Sequence, residues 1–215
     1  MIHQPITLYT ANLITSSLQI QTNQNTLQIT FDTLSAADAL LLKNTAITSV
    51  QVEYKTSAEQ ETWSQGPLLT QTQKEDKLFI FTSQITAKIF KFTFNINCDF
   101  QSVSLVKKLL TLENILSSFT LDNTFKGSSY YLADGSLVSW QEFTKKKVNL
   151  NLNNIPQTLL EQIKNIFETN SFLTYALFGD FDGYFALECA LKEPPSFQLN
   201  RQSALYSTSL TLLER

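Results

Sequence analysis

The first hundred residues alternate between apolar and polar positions, which is the pattern of β-strands with one buried face. The polar stretches at 21–26 and 56–63 are typical of connections, and Gly66-Pro67 indicates a break between strands. Short strands are predicted at Leu18–Ile20, Leu27–Phe31, Ile47–Tyr54, Leu78–Phe81 and Ile85–Phe94. Five short strands separated by turns predict a β-sandwich over residues 1–103.

Two segments of this half do not show simple alternation. Ser35–Leu42 is rich in alanine and leucine and predicts a short helix, with Ser35 as its N-cap. The junction at 104–116 spaces its leucines as a helix does, but it also fits a strand, and periodicity leaves both open.

The second half predicts a β-rich domain with one main helix, at about 156–168. Asp134-Gly135 between apolar stretches indicates a hairpin, and Phe143–Leu152 follows as a strand whose apolar residues alternate with asparagines. Pro156 suits a first helical turn, and Leu159, Ile163, Ile166 and Phe167 form one apolar stripe. Further strands are predicted at Phe172–Phe178, at Tyr184–Leu191 and from Ala204 onward, with a turn at 179–183 and a break at Pro194-Pro195.

Composition narrows the class of protein. Of the 215 residues 43% are apolar and 16% are charged, below the usual value of about 25%, which excludes a disordered chain. The length suits one domain or two, and the change of pattern between the halves predicts two, at 1–103 and 104–215. A net charge of −3 argues against nucleic-acid binding. Gln, Asn, Ser and Thr fill the polar positions, and such uncharged faces are cheaper to desolvate in contacts between subunits.

The N-terminus has no signal-peptide pattern, and no apolar stretch approaches the roughly 18 residues of a membrane span, so membrane insertion is not expected. Cys98 and Cys189 are predicted to be buried thiols rather than a disulfide between the domains. Synthesis and folding are therefore expected in the cytosol.

Residues with catalytic potential are few. His3 is the only histidine, which argues against a histidine-assisted triad and a zinc site, and five scattered glycines form no phosphate loop. Asp180-Phe-Asp182-Gly183 resembles the start of a calcium loop, but the later acidic ligands are missing and a hairpin turn needs the same residues. We therefore expect no catalytic residue, metal site or cofactor, and no enzymatic activity.

Two other groups of residues have alternative interpretations. Lys145–Lys147 is interpreted as a solvated strand edge that discourages strand pairing, rather than as a nucleic-acid patch. Five aromatic residues could stack on sugar rings, but anchoring in the core is favoured for residues that alternate within strands. They are Trp63 and Trp140, with Tyr54, Tyr130 and Tyr131.

The order of these elements resembles bacteriophage structural proteins. The segments 12–15, 27–32 and 46–54, with Trp63, are similar to discoidin-like jelly-roll modules. The second half resembles the tail-tube-like fold of distal tail proteins and lambdoid minor tail proteins. It does so through the hairpin, the strand 148–152, the helix 157–168, the strand 172–178 and the closing strand 206–214. This resemblance favours a strand at 104–116.

The resemblance implies a structural component of the virion, assembled in the host cytoplasm. It implies identical copies in a ring of hexameric or related symmetry, placed at the tail tip, baseplate or an adaptor position. Tube, hub and tape-measure proteins are the implied partners, and no catalytic residue is carried over. The full-size N-terminal sandwich favours a tip or adaptor ring over a simple tube.

Two other functions remain open from the sequence. A carbohydrate-binding module for host-surface glycans is the alternative suggested by the discoidin-like half. A hydrolase could also use two carboxylates among the nineteen acidic residues, although no spacing singles out a pair.

Overall fold

The computed structural model describes residues 4–9, 13–71, 76–112, 115–169, 174–180 and 184–214. Within these ranges the chain is mainly antiparallel β-structure with one α-helix, which confirms the predicted fold class. No helix among these residues is long and apolar enough to cross a bilayer. The chain divides into two compact units, residues 1–111 with 175–187 and residues 112–174 with 188–215. The domain boundary expected at 103/104 falls inside a strand of the first unit.

The first unit contains a six-stranded antiparallel sheet and a smaller group of strands. The strands are β1 Gln4–Tyr9, β2 Ser17–Asn23, β3 Thr26–Lys43, β4 Ser49–Lys55, β5 Ser64–Thr70, β6 Lys77–Phe94, β7 Ser102–Val106, β8 Lys108–Thr111 and β11 Thr174–Asp180, with a 3-10 helix at Leu13–Ser16. The sheet has the order β2-β3-β6-β4-β5, with β7 also paired to β3, while β1 pairs with β8 and β11.

Both halves of the long strand β3 face one hydrophobic core. Ile29 in the first half and Leu40 in the second are fully buried in the same cluster, together with Phe90 and Phe92 of β6. The β3–β6 register shifts between Thr30/Ser35 and between Ala37/Ala39. Because of the second shift, odd-numbered residues such as Ile29 point to this core in the first half, whereas even-numbered residues such as Leu40 point to it at the end of the strand. One sheet can therefore enclose its own core in a sandwich-like arrangement.

The predicted helix at Ser35–Leu42 is wrong, because this segment is the second half of β3. It pairs with β6 on one side and β7 on the other. Leu40 and Leu42 contact one apolar cluster, whereas Ala39 and Leu41 contact another. Burial of both faces removes the polar alternation that marks an ordinary strand, and tertiary pairing overrides the helix preference of alanine and leucine.

Two predicted boundaries in the first unit are also wrong. Gly66-Pro67 lies inside β5, at the edge of the sheet, where a proline is tolerated because its missing N–H need not pair. The two strands predicted at 78–81 and 85–94 are one continuous strand, β6. The junction after 104 consists of the short strands β7 and β8, which confirms the strand interpretation.

The second unit is a sheet with a helix. Its elements are β9 Leu116–Tyr131, β10 Leu137–Ile155, α1 Gln157–Thr169, β13 Phe197–Asn200, β14 Leu205–Glu214 and the last residues of β12 Tyr184–Leu191. The strand order is β9-β10-β14, and β13 and the end of β12 pair with different parts of β14. The hairpin, the helix and the strands at 184–191 and 205–214 confirm the predictions.

Strand β10 has one apolar and one polar face. Val148, Leu150 and Leu152 are fully buried. Ile163 and Phe167 of α1 are also buried, with exposed fractions of 0% and 2%. Lys164 Nζ of α1 lies 5.6 Å from the ring centre of Phe197 in β13, so α1 covers the sheet face to which Phe197 points. The intervening asparagines of β10 point to the opposite face.

The interpretation of Lys145–Lys147 as a strand edge holds for Lys145 and Lys146, which pair with β9 only, but is wrong for Lys147. These residues lie inside β10 and pair with β9, and Lys147 also pairs with Leu213 of β14. All three side chains are half-buried. The local sequence could not show the pairing of Lys147 with Leu213, because β14 comes much later in the chain than β10.

Candidate functional site

The polar face of the second unit carries ordered rows of uncharged side chains. Each row crosses three paired strands, β9, β10 and β14. The rows are Thr120–Asn149–Thr211 and Ser118–Asn151–Ser209. An asparagine at the centre of each row bonds to both neighbours, so the side chains form a ladder across the sheet.

The geometry of this ladder is tight. Asn151 Nδ2 donates to Ser118 Oγ at 2.7 Å, and Ser209 Oγ donates to Asn151 Oδ1 at 2.6 Å. Asn149 bonds in the same way, to Thr120 at 3.0 Å and from Thr211 at 3.1 Å. Because each amide uses both its donor and its acceptor, the asparagine rotamers are fixed.

Beside the ladder the face becomes a groove. A cavity of about 360 Å³ is lined by residues of four strands, including Asn151, Asn153, Gln198 and Ser207. A second cavity of about 300 Å³ shares Asn153 and Ser207 with the first and extends to Tyr206. Every residue that lines the first cavity is a serine, threonine, asparagine or glutamine. Among the described residues, no acidic or basic side chain lines either cavity.

The hairpin of β9 and β10 forms a second distinctive surface, which we call the arm. The part of β10 before Lys147 pairs with β9 but not with β14, so residues 123–146 form a two-stranded ribbon. Exposed apolar side chains surround its turn. They are Tyr130, Tyr131, Leu132 and Leu137, and Tyr131 is 75% exposed.

The turn of the arm is well defined. Gly135 has a φ of +82°, which suits glycine, and Leu132 N donates to Ser136 O at 2.8 Å. The hydroxyl of Ser136 donates to Asp134 Oδ1 at 2.6 Å, and this bond is the main cause of a lowered pKa at Asp134. The exposed tyrosines and leucines therefore sit on a defined hairpin.

The structure separates the aromatic residues considered from the sequence. Tyr54 packs against the core of the first unit, as predicted. Tyr130 and Tyr131 are exposed, so the prediction of core anchoring is wrong for both. The side chain of Trp140 lies outside the described part of the structure.

Trp63 is a half-buried residue in a charged setting. Lys55 Nζ and Lys91 Nζ lie 4.7 and 5.2 Å from its ring centre. Lys91 also pairs with Glu53 at 2.7 Å, and this contact is the main cause of a lowered pKa at Glu53. A sugar stacking on this ring would have to compete with two ammonium groups.

The remaining sequence candidates form no site within the described residues. Cys98 and Cys189 are free thiols, as predicted; Cys189 is buried, whereas Cys98 is only half-buried, and this partial burial raises its pKa. His3 and Asp182 lie outside the described residues, as does the side chain of Asp180. Among the residues described, no three acidic, cysteine or histidine side chains lie close enough to hold a metal ion.

Sequence reasoning found the asparagines of β10 but missed their neighbours. The alternation of Ser207, Ser209 and Thr211 in β14 was the available signal. Strand β13, with Gln198, was not predicted. Comparison with known protein families, with curated proteins and with solved structures gives no significant match.

Proposed function

We propose that this chain is a structural component of a bacteriophage tail that self-assembles into a ring and docks other tail proteins. The position is a tail tip, baseplate or adaptor ring, as in distal tail proteins. The N-terminal unit would be a discoidin-like sandwich and the second a tail-tube-like domain. The support from sequence is the resemblance of the element order to these proteins.

The arm is the observation that carries the proposal. A two-stranded hairpin is marginally stable in water without a third strand or a packing partner. This one also exposes Tyr130, Tyr131, Leu132 and Leu137 around its turn. Tyrosine is enriched at the centres of protein interfaces, where its ring is buried against a partner. A neighbouring copy would cover the arm and supply the missing partner.

The edge of β9 supports the same mode of assembly. It is 16 residues long, and within the described part of the chain no strand pairs with its outer side. Long open edges invite pairing with another chain. Head-to-tail contacts between two different patches close into rings when the rotation allows it.

Mass photometry and electron microscopy of the full chain test this proposal. We expect ring oligomers, either of the chain alone or with tail proteins encoded beside it. Tyr131→Glu should weaken assembly at least about tenfold while leaving the circular dichroism spectrum unchanged. Leu34→Glu, a matched change at another exposed apolar residue, should assemble normally. A strict monomer under all these conditions would contradict the proposal.

A carbohydrate-binding module for host-surface glycans is the second candidate function. The lysines over Trp63 do not favour it at that residue. The uncharged groove of the second unit does favour it, through the hydrogen-bonding groups considered next.

A further inference from the structure

The two cavities on the polar face of the second unit form one uncharged groove. They adjoin because both are lined by Asn153 and Ser207. We propose that this groove binds a neutral oligosaccharide. This site is distinct from the tryptophans considered in the sequence, and it does not depend on assembly into a ring.

The groove offers hydrogen-bonding groups without protein partners. Among the described residues, the side chains of Asn153, Gln198 and Ser207 make no hydrogen bond to protein. Each primary amide presents both a donor and an acceptor, and the serine hydroxyl can act as either. Adjacent hydroxyls of a sugar ring also donate and accept, so one amide can pair with two of them.

The lining selects against other classes of ligand. Phosphates, nucleotides and acidic sugars need cationic side chains for tight binding, and within the described part of the chain no charged residue lines either cavity. A protein partner needs apolar or aromatic anchors, which the larger cavity does not offer. Leu205 and Tyr206 line only the smaller cavity.

The ladder fixes one wall of the groove. Asn151 lines the larger cavity, while its amide bonds at 2.7 and 2.6 Å to β9 and β14. A preformed surface loses little conformational entropy when a ligand binds. Cavities of about 360 and 300 Å³ fall in the range of small-ligand sites, and their continuity suits a chain of sugar units.

The test is binding of the full chain to an array of neutral and acidic oligosaccharides, followed by titration calorimetry with the best neutral one. We expect binding to at least one neutral oligosaccharide and none to the acidic ones. Gln198→Ala and Asn153→Ala should each weaken it about tenfold. Gln162→Ala is the matched control, because Gln162 is an exposed amide on α1, on the other side of the sheet.

Three results would overturn the inference. The first is the absence of binding to every neutral oligosaccharide on the array. The second is binding that survives the double variant Asn153→Ala/Gln198→Ala or is equally lost in Gln162→Ala. The third is that the groove variants leave glycan binding intact but abolish assembly, which would make the groove a contact between copies. Assembly lost in Tyr131→Glu with glycan binding intact would separate this site from the proposed ring.

Discussion

The two faces of β10 should respond very differently to truncation at adjacent positions. Leu150 is fully buried, whereas Asn151 is exposed and bonds sideways to Ser118 and Ser209. We therefore compare Leu150→Ala with Asn151→Ala. The pair tests the assignment of faces on which both the core and the groove of the second unit depend.

The expected magnitudes follow from what each side chain contacts. Leu150→Ala removes three carbon groups from a fully buried site, a transfer free energy of about 2.4 kcal/mol. The residual cavity raises the loss in unfolding free energy to about 3–4 kcal/mol. Asn151→Ala removes two side-chain hydrogen bonds on an exposed face, which contribute about 1 kcal/mol in total after exchange with water.

Equilibrium urea unfolding followed by circular dichroism measures both variants against the unmodified chain. The dependence of the unfolding free energy on urea concentration should be the same in all three proteins, so that a shift in the urea midpoint reports a change in stability. A loss in Asn151→Ala as large as that in Leu150→Ala would refute the reasoning. The asparagine face would then be part of the packed core rather than a polar surface.

Two further predictions concern the first unit. A methyl group added at Gly66 would lie 2.9 Å from Val52 O and 3.1 Å from Val52 Cβ, so Gly66→Ala should lower the unfolding free energy by about 1–3 kcal/mol. Thr70→Ala, at an exposed position of the same strand, should stay within about 0.5 kcal/mol in the same urea titration, and equal losses would contradict the close approach. Lys77 is buried, its Nζ donates to Ile47 O at 2.6 Å, and burial lowers its pKa from 10.5. Between that lowered pKa and 10.5 the unfolded chain binds more protons, so the stability of the unmodified chain should rise with pH relative to Lys77→Met. If the difference in unfolding free energy between these two proteins stays constant or falls over this alkaline pH range, the result would contradict the buried position of the amine.

Prediction from the sequence succeeded where one face of an element is buried and the other is polar. Val148, Leu150 and Leu152 alternate with asparagines, and the strand was found. The stripe on α1 and the turn at Gly135 were found for the same reason, because each signal lies within a few neighbouring residues.

Prediction failed where distant segments decide the environment. Ser35–Leu42 was predicted as a helix because both of its strand faces are buried, by partners that lie far away in sequence. Lys147 was taken for an edge residue because its partner in β14 follows so much later. Tyr130 and Tyr131 were assigned to the core because the alternation of apolar residues does not show whether a third strand covers the arm.

The amino-acid pattern by itself determined that the chain is mainly β, that one helix starts near Pro156, and that one face of β10 is amide-rich. Only the tertiary structure decided that Asn151 lies between Ser118 and Ser209, which are 33 and 58 positions away from it in the sequence, and that Gln198 joins the same face. The physical reason is that side-chain direction follows from the local backbone period. The neighbour of a strand is chosen instead by the free energy of the whole sheet.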